Sequence, residues 1–179
     1  MLFTPTDLPG AMIVDLDRKT DDRGFFARSW CRDEFTQHGL NPALVQCNVS
    51  FNRSAGTLRG MHYQIPPHEE AKLVRCTAGA LYDVIIDMRP SSKTYLRHLA
   101  VELTAENRRA LYIPEGFAHG FITLADNTEI FYQMSAYYHA ESQRGVRYND
   151  PAFGIRWPVP IDVISPKDTE YPDFKPNRG

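Results

Sequence analysis

Residues 57–87 read Thr57-Leu-Arg-Gly-Met-His-Tyr-Gln-Ile-Pro-Pro-His-Glu-Glu-Ala-Lys-Leu-Val-Arg-Cys-Thr-Ala-Gly-Ala-Leu-Tyr-Asp-Val-Ile-Ile-Asp87. Three runs of strand-forming residues, Thr57–Gln64, Lys72–Thr77 and Leu81–Asp87, are separated by Pro66-Pro67 and by Ala78-Gly79, which predicts short strands joined by turns. Alternation in the last run places Tyr82, Val84 and Ile86 on one face and Asp83, Ile85 and Asp87 on the other. The first two runs also gather Arg59, His62, His68 and Lys72. Such a stretch reads either as a solvated edge hairpin or as the lining of a pocket that binds an anion and holds a base beside it.

The same rhythm extends in both directions. Downstream, Arg97–Leu103, Ala110–Ile113, His119–Leu124 and Thr128–Ser135 are strand candidates, each bounded by turn chemistry such as Pro114-Glu-Gly116 and Asp126-Asn127. Upstream, Ala11–Asp17, Gly24–Trp30 and Leu44–Phe51 are extended, with a turn at Asp21-Asp-Arg-Gly24. Cys31–His38 is a short helix candidate with Gly39 placed to end it. Strands at this spacing with no long helical pattern predict an all-β sandwich or barrel, one domain over residues 1–179. The proline-rich tail from Asn149 is expected to wrap the outside.

Composition limits the function. A chain of 179 residues with 42% hydrophobic and 23% charged residues is that of an ordinary globular protein. A net charge of −2 speaks against general nucleic-acid binding and directs any basic cluster to a small anion. No apolar run is long enough for a bilayer, and Met1-Leu-Phe-Thr-Pro-Thr-Asp7 lacks signal-peptide features, so no membrane partner is expected. Cys31, Cys47 and Cys76 form no Cys-x-x-Cys pair and read as reduced thiols, in keeping with a cytoplasmic protein.

Single residues leave the chemistry open. His62 shares its parity with Leu58, Gly60 and Gln64, whereas Arg59 has the opposite parity, so the two reach one cavity only if Gly60 hosts a bulge. Metal-binding cupins present two histidines two residues apart, followed by an acidic residue and a distant histidine; here Gln64 stands at that spacing from His62, and His68, Glu69 and His119 are the remaining donors for a metal-dependent reading. Arg59 and Lys72 are residues that bind phosphate or stabilise an enolate, and equally residues that blunt an edge strand. Tyr132, between Ile130 and Met134 on its face, points inward as a core tyrosine or as a proton donor. Asp168 follows Ser165-Pro166-Lys167, where a helix start alone would explain it.

Taken together, the motifs resemble one family. Asp22-Arg-Gly-Phe-Phe26, Gly56-Thr-Leu-Arg-Gly-Met-His-Tyr-Gln64 with Pro66-Pro67, and Lys72-Leu-Val-Arg75 are followed by Ile113-Pro-Glu-Gly-Phe-Ala-His-Gly-Phe121, and then by Tyr132 and Tyr138. Asn149-Asp-Pro151, Gly154-Ile-Arg-Trp-Pro158 and Ser165-Pro-Lys-Asp168 complete the set. Their order and spacing, from about Asp22 to Pro172, resemble the dTDP-4-dehydrorhamnose 3,5-epimerase family. That resemblance implies a cupin-type jelly roll working without metal or other cofactor, commonly as a homodimer that exchanges N-terminal strands.

It also implies a site. His62 would be a general base oriented by Asp168, Lys72 would stabilise an enolate, and Tyr132 would return a proton from the opposite face. Arg23, Arg59, Gln46, Asn48 and His119 would surround the nucleotide diphosphate and sugar. Phe26 would help to hold the base and Tyr138 would line the nucleotide side. The chain departs from the family pattern at Arg28, Cys47, Gln143 and Tyr148, which leaves the identity of the base open. The expected activity is epimerisation at C3, C5 or both of a nucleotide-linked 4-keto-6-deoxy sugar. A single-carbon epimerase, a cupin that only binds a sugar nucleotide, and a metal enzyme using His62, His68 and His119 are the alternatives.

Overall fold

A computed structural model describes residues 1–176. Strands are numbered in chain order. One sheet runs β1 (Leu2–Pro5), β2 (Met12–Asp15), β10 (Ala110–Ile113), β7 (Lys72–Ala78), β12 (Thr128–Met134), β5 (Gln46–Asn52). The other runs β13 (Gln143–Gly145), β6 (Thr57–Gln64), β11 (Phe117–Thr123), β8 (Ala80–Asp87), β9 (His98–Thr104). These pairings are antiparallel, and β14 (Val163–Ile164) adds a parallel one to β6. A separate hairpin is formed by β3 (Lys19–Asp21) and β4 (Gly24–Phe26).

Successive strands alternate between the sheets: β5 lies in the first, β6 in the second, β7 in the first and β8 in the second. This interleaving makes a cupin-type jelly roll, and it corrects the edge-hairpin reading of residues 57–77. β6 and β7 are not hydrogen-bonded neighbours; the Pro66-Pro67 turn carries the chain across the core, so His62 and Lys72 start from facing walls.

The inward faces explain why the sheets stay together. Val74, Cys76, Leu111, Ile113 and Ile130 of the first sheet meet Leu81, Ile85, Leu103, Phe117 and Phe121 of the second. Ile85, Leu81, Val74 and Leu111 are fully buried, and truncating such a side chain to alanine costs about 2–5 kcal/mol. The alternation in Leu81–Asp87 holds: Ile85 faces this core, while Tyr82, Val84 and Ile86 face outward.

Each outer face has its own cover. Behind the second sheet, Val84, Ile86, Met61 and Ala118 are covered by Phe153, Ile155, Trp157 and Phe174, so the tail wraps the outside as expected. Behind the first, Phe35 of the short helix α1 (Arg32–Gln37) packs on Tyr112, Ala110 and Leu73. Asp33 and Glu34 sit in its first turn, where the helix dipole favours them, and Gly39 (φ +70°) follows its end. The second helix, α2 (Pro166–Thr169), begins at the expected Ser165 cap. Four short strands escaped the sequence reading: β1, β3, β13 and β14. The last three residues of the 1–179 expectation lie outside the described residues.

Candidate active site

At one end of the jelly roll the apolar filling stops and a cavity of about 510 Å³ opens between the sheets. Its walls bring together Arg59, His62, His119 and Asp168 from the side of the second sheet, and Lys72 and Tyr132 from the first.

His62 is held from behind. Its Nε2 lies 2.6 Å from Asp168 Oδ1, and the other carboxylate oxygen accepts from the Gly60 backbone N–H at 3.3 Å. Asp168 is 3% exposed. Burial, the largest single influence, would raise its pKa, but the bonds from His62 and Gly60 outweigh it and leave the carboxyl below its ordinary value. An Nε2–H donated to the carboxylate leaves Nδ1 with a free lone pair, and Nδ1 has no partner among the described residues. Ser165 Oγ accepts from the Asp168 N–H. The cap therefore places Asp168, and its side chain is spent on His62. From the back, the Tyr171 ring meets His62 edge-on at 6.3 Å between centroids. Gly145, opposite His62 in β13, leaves the room for Tyr171; a Cβ there would collide with the ring.

The parity conflict is resolved at Gly60. The β6–β11 pairing shifts register between His119 and Phe121, and Gly60 has φ +122°, a conformation that favours glycine. Gly60 and Gly120 approach backbone to backbone: a Cβ on Gly60 would lie 2.5 Å from Gly120 Cα. The local departure from a regular strand sends both Arg59 and His62 to the cavity.

On the facing wall, Lys72 and Tyr132 come from neighbouring strands, with Tyr132 opposite Val74 and Met134 opposite Lys72. Lys72 Nζ lies 2.8 Å from Glu70 Oε1, and the two side chains are 11% and 4% exposed. Glu70 Oε2 is buried with no hydrogen-bond partner among the described residues. Tyr132 packs against the inter-sheet core, as its parity with Ile130 and Met134 implied. Burial raises its pKa, with the Arg59 charge working weakly against it, so the phenol stays protonated near neutral pH and is able to donate.

Two further features stand beside this set. His119, opposite His62 in the ladder, has its Nε2 2.7 Å from the fully buried Asp83 Oδ1, a second histidine–carboxylate pair. Arg59 Nε donates to Asn52 Oδ1 at 2.7 Å, and its Nη groups have no partner among the described residues. Neither Asp83 nor Glu70 was singled out from sequence. For Asp83 the available signal was a carboxylate in an otherwise apolar strand, which is seldom buried without a partner; Glu70, in the polar loop before β7, carried no such signal.

The remaining sequence candidates lie around the cavity rather than in its wall. Gln46 and Asn48 are on the inward face of β5, joined by Gln46 Nε2 to Asn48 Oδ1 at 3.1 Å. Exposed Tyr138 donates its hydroxyl to Gln143 Oε1 at 2.8 Å, and Lys167 Nζ, from the cavity wall, reaches the same oxygen at 2.8 Å. Arg23 and Phe26 are on the β3–β4 hairpin, away from this chain's own cavity, and Phe26 is 76% exposed. The three histidines of the metal-dependent alternative do not assemble: His62 bonds Asp168, His119 bonds Asp83, and His68 stacks on His139.

The arrangement is that of a cupin-type jelly roll equipped for proton transfer, with an imidazole on one wall and a protonated phenol on the other. Comparison with known proteins supplies the family. A family profile for dTDP-4-dehydrorhamnose 3,5-epimerase matches residues 5–176. The dTDP-4-dehydrorhamnose 3,5-epimerase of Sinorhizobium fredii is 44% identical over 97% of this chain and 90% of its own. The crystal structure of the enzyme of that name from Elizabethkingia anophelis superposes with a TM-score of 0.94 at 38% identity, covering 97% of this chain and 96% of its own. That from Bacillus anthracis, solved with TDP and PPi bound, gives 0.92 at 38% identity, covering 97% and 99%. The chain belongs to the dTDP-4-dehydrorhamnose 3,5-epimerase family.

Proposed function

We propose that the protein is an isomerase that epimerises a nucleotide-diphosphate-linked 4-keto-6-deoxy sugar at C3 and C5, converting dTDP-4-dehydro-6-deoxyglucose to dTDP-4-dehydrorhamnose. The observation that carries this reading is the placement of His62 and Tyr132 on facing sheets across one cavity. Hydrogens at C3 and C5 are acidic because each is next to the C4 carbonyl. His62 Nδ1 takes one of them, and Asp168 holds the imidazole and stabilises its cation. The electron pair moves into an enolate whose oxygen is met by the Lys72 ammonium, an interaction that grows as charge develops. Tyr132 gives a proton to the opposite face of the carbon, which inverts it.

The binding roles in this proposal are those the family resemblance implies, and several positions support them. Arg59, with its Nη groups free, and His119, held by Asp83, meet the diphosphate and sugar. Gln46, Asn48 and Tyr138 line the approach on the nucleotide side. Arg23 and Phe26 act across a homodimer, reaching the neighbouring copy's site. This part is supported by the exposure of their hairpin and by an apolar outer face on the edge strand β5, where Val49 and Phe51 are exposed. On that side of the sheet Arg75 has buried nitrogens without partners among the described residues. Among the described residues no helix is long and apolar enough to cross a membrane, and we place the enzyme in the cytoplasm.

Proton NMR of the dTDP-linked 4-keto-6-deoxyglucose in deuterated buffer tests the proposal. Deuterium should appear at C3 and C5 together with the inverted sugar. Exchange at one carbon alone would make it a single-carbon epimerase, and tight binding with no exchange would make it a sugar-nucleotide-binding cupin.

A further inference from the structure

Outside the cavity, the described residues contain one group of side chains with the composition and spacing of a metal centre: His68, His139 and Glu141, whose ligand atoms all lie within 4.8 Å of one another. We propose that these three side chains bind a divalent transition-metal ion of the zinc, nickel and copper type, at a site separate from the one that carries the proposed epimerisation.

The case begins with how the two histidines are held. Their rings are stacked, 3.5 Å between centroids and 15° from parallel. They come from different loops, one following the Pro66-Pro67 turn and one following β12. Gln64, at 3% exposure, ties these loops together. Its amide nitrogen donates to the His68 carbonyl at 2.7 Å and to the Tyr137 carbonyl at 3.1 Å, and its amide oxygen accepts from the His139 N–H. Both loops carry further backbone anchors. The His68 N–H donates to the Ile65 carbonyl at 3.1 Å, and the Ser142 and Gln143 N–H groups donate to the His139 carbonyl, each at 3.1 Å. The stems of both imidazoles are therefore fixed before any ligand arrives.

The donor set decides the chemistry. Two imidazoles and one carboxylate suit zinc, nickel and copper better than calcium or magnesium, which prefer oxygen ligands alone. Glu141 is already drawn in, with Oε1 3.2 Å from His139 Nδ1. Donors about 2.0–2.1 Å from a common ion stand about 3–3.5 Å apart, so closing the site asks for movement of about an ångström in partly exposed side chains. Three protein ligands leave a fourth position for water. Such an ion would clip the loop after Pro67 to the 139–143 turn.

The test is a zinc titration of the full chain against a chromophoric chelator, with His139→Ala, His68→Ala, Glu141→Gln and, as a control on a remote histidine, His38→Ala. The proposal expects one zinc per chain, affinity reduced about tenfold or more in each histidine variant and less in Glu141→Gln, and no change in His38→Ala. Copper bound to the wild type should show two-nitrogen hyperfine structure in electron paramagnetic resonance. Added zinc should raise the unfolding midpoint of the wild type and not that of His139→Ala, a readout that stands whether or not the epimerase assignment is right. Failure of the wild type to bind zinc at millimolar concentration would overturn the proposal. So would binding that survives His139→Ala or disappears in His62→Ala.

Discussion

Asp168 Oδ1 stands 2.6 Å from His62 Nε2, and the Asp168 carboxylate is buried behind the imidazole, facing it rather than the solvent. The pair spans 106 residues of sequence and is closed by a single capped helical turn. Asp168→Asn keeps the shape of this contact but removes the charge that stabilises the imidazolium. The expected result is a fall in kcat of about 10²–10⁴ with substrate binding and circular dichroism largely preserved. Steady-state kinetics with the 4-keto sugar nucleotide measures it.

Tyr132→Phe separates the two halves of the reaction. The base and the enolate stabiliser remain, so solvent deuterium should still enter the substrate, but delivery from the opposite face is lost. Inversion is expected to slow by about 10²-fold or more relative to exchange. Following exchange and product together by NMR gives the ratio.

Lys72 carries two loads. Lys72→Met removes the cation beside the enolate, for which a loss of about 10²–10³ in kcat is expected. It also strands Glu70, which is 4% exposed and has one oxygen unpartnered already. Breaking such a buried pair costs about 3–5 kcal/mol. The double variant Lys72→Met/Glu70→Gln should recover much of the stability and none of the activity, as read by chemical denaturation and by turnover.

Acid stability should depend on Asp87. Burial, the largest influence, pushes its carboxyl up, but hydrogen bonds from Arg89, Ser92 and Thr94 outweigh it and bring the pKa down to about 2. The unfolded chain therefore binds more protons than the native protein between pH 4 and 2. The stabilisation is complete above the unfolded value of 3.8 and is lost as the pH falls toward 2. Its size is on the order of 2 kcal/mol. Asp87→Asn should remove that part of the acid dependence, measurable as a flatter curve of unfolding free energy against pH over this window.

Much of the fold was legible because strand runs and turn residues punctuate each other. Thr57–Gln64 and Ala110–Ile113 have the bounds expected of them. Short strands that borrow their regularity from a partner were not visible. Val163–Ile164 is a strand only because β6 lies alongside, and Gln143–Gly145 only because it pairs with Gln64 to His62. The crossing of the chain between sheets at Pro66-Pro67 was also hidden, since turn chemistry marks a reversal but not which sheet receives the next strand. At the site, Asp168 was the hardest residue to judge. Its helix-start setting is accurate, yet the backbone N–H satisfies that setting and the carboxylate serves His62. Asp83 was not legible because its partner His119 stands 36 residues away on the neighbouring strand, and Glu70 because a glutamate in a polar loop reads as exposed until the fold buries it against Lys72.

The most direct test of the account is solvent deuterium exchange into the 4-keto sugar nucleotide catalysed by His62→Ala, compared with the wild type by proton NMR. Exchange at C3 and C5 should fall to the rate seen without enzyme while the variant remains folded. Exchange at the wild-type rate in His62→Ala would contradict the assignment of His62 as the base.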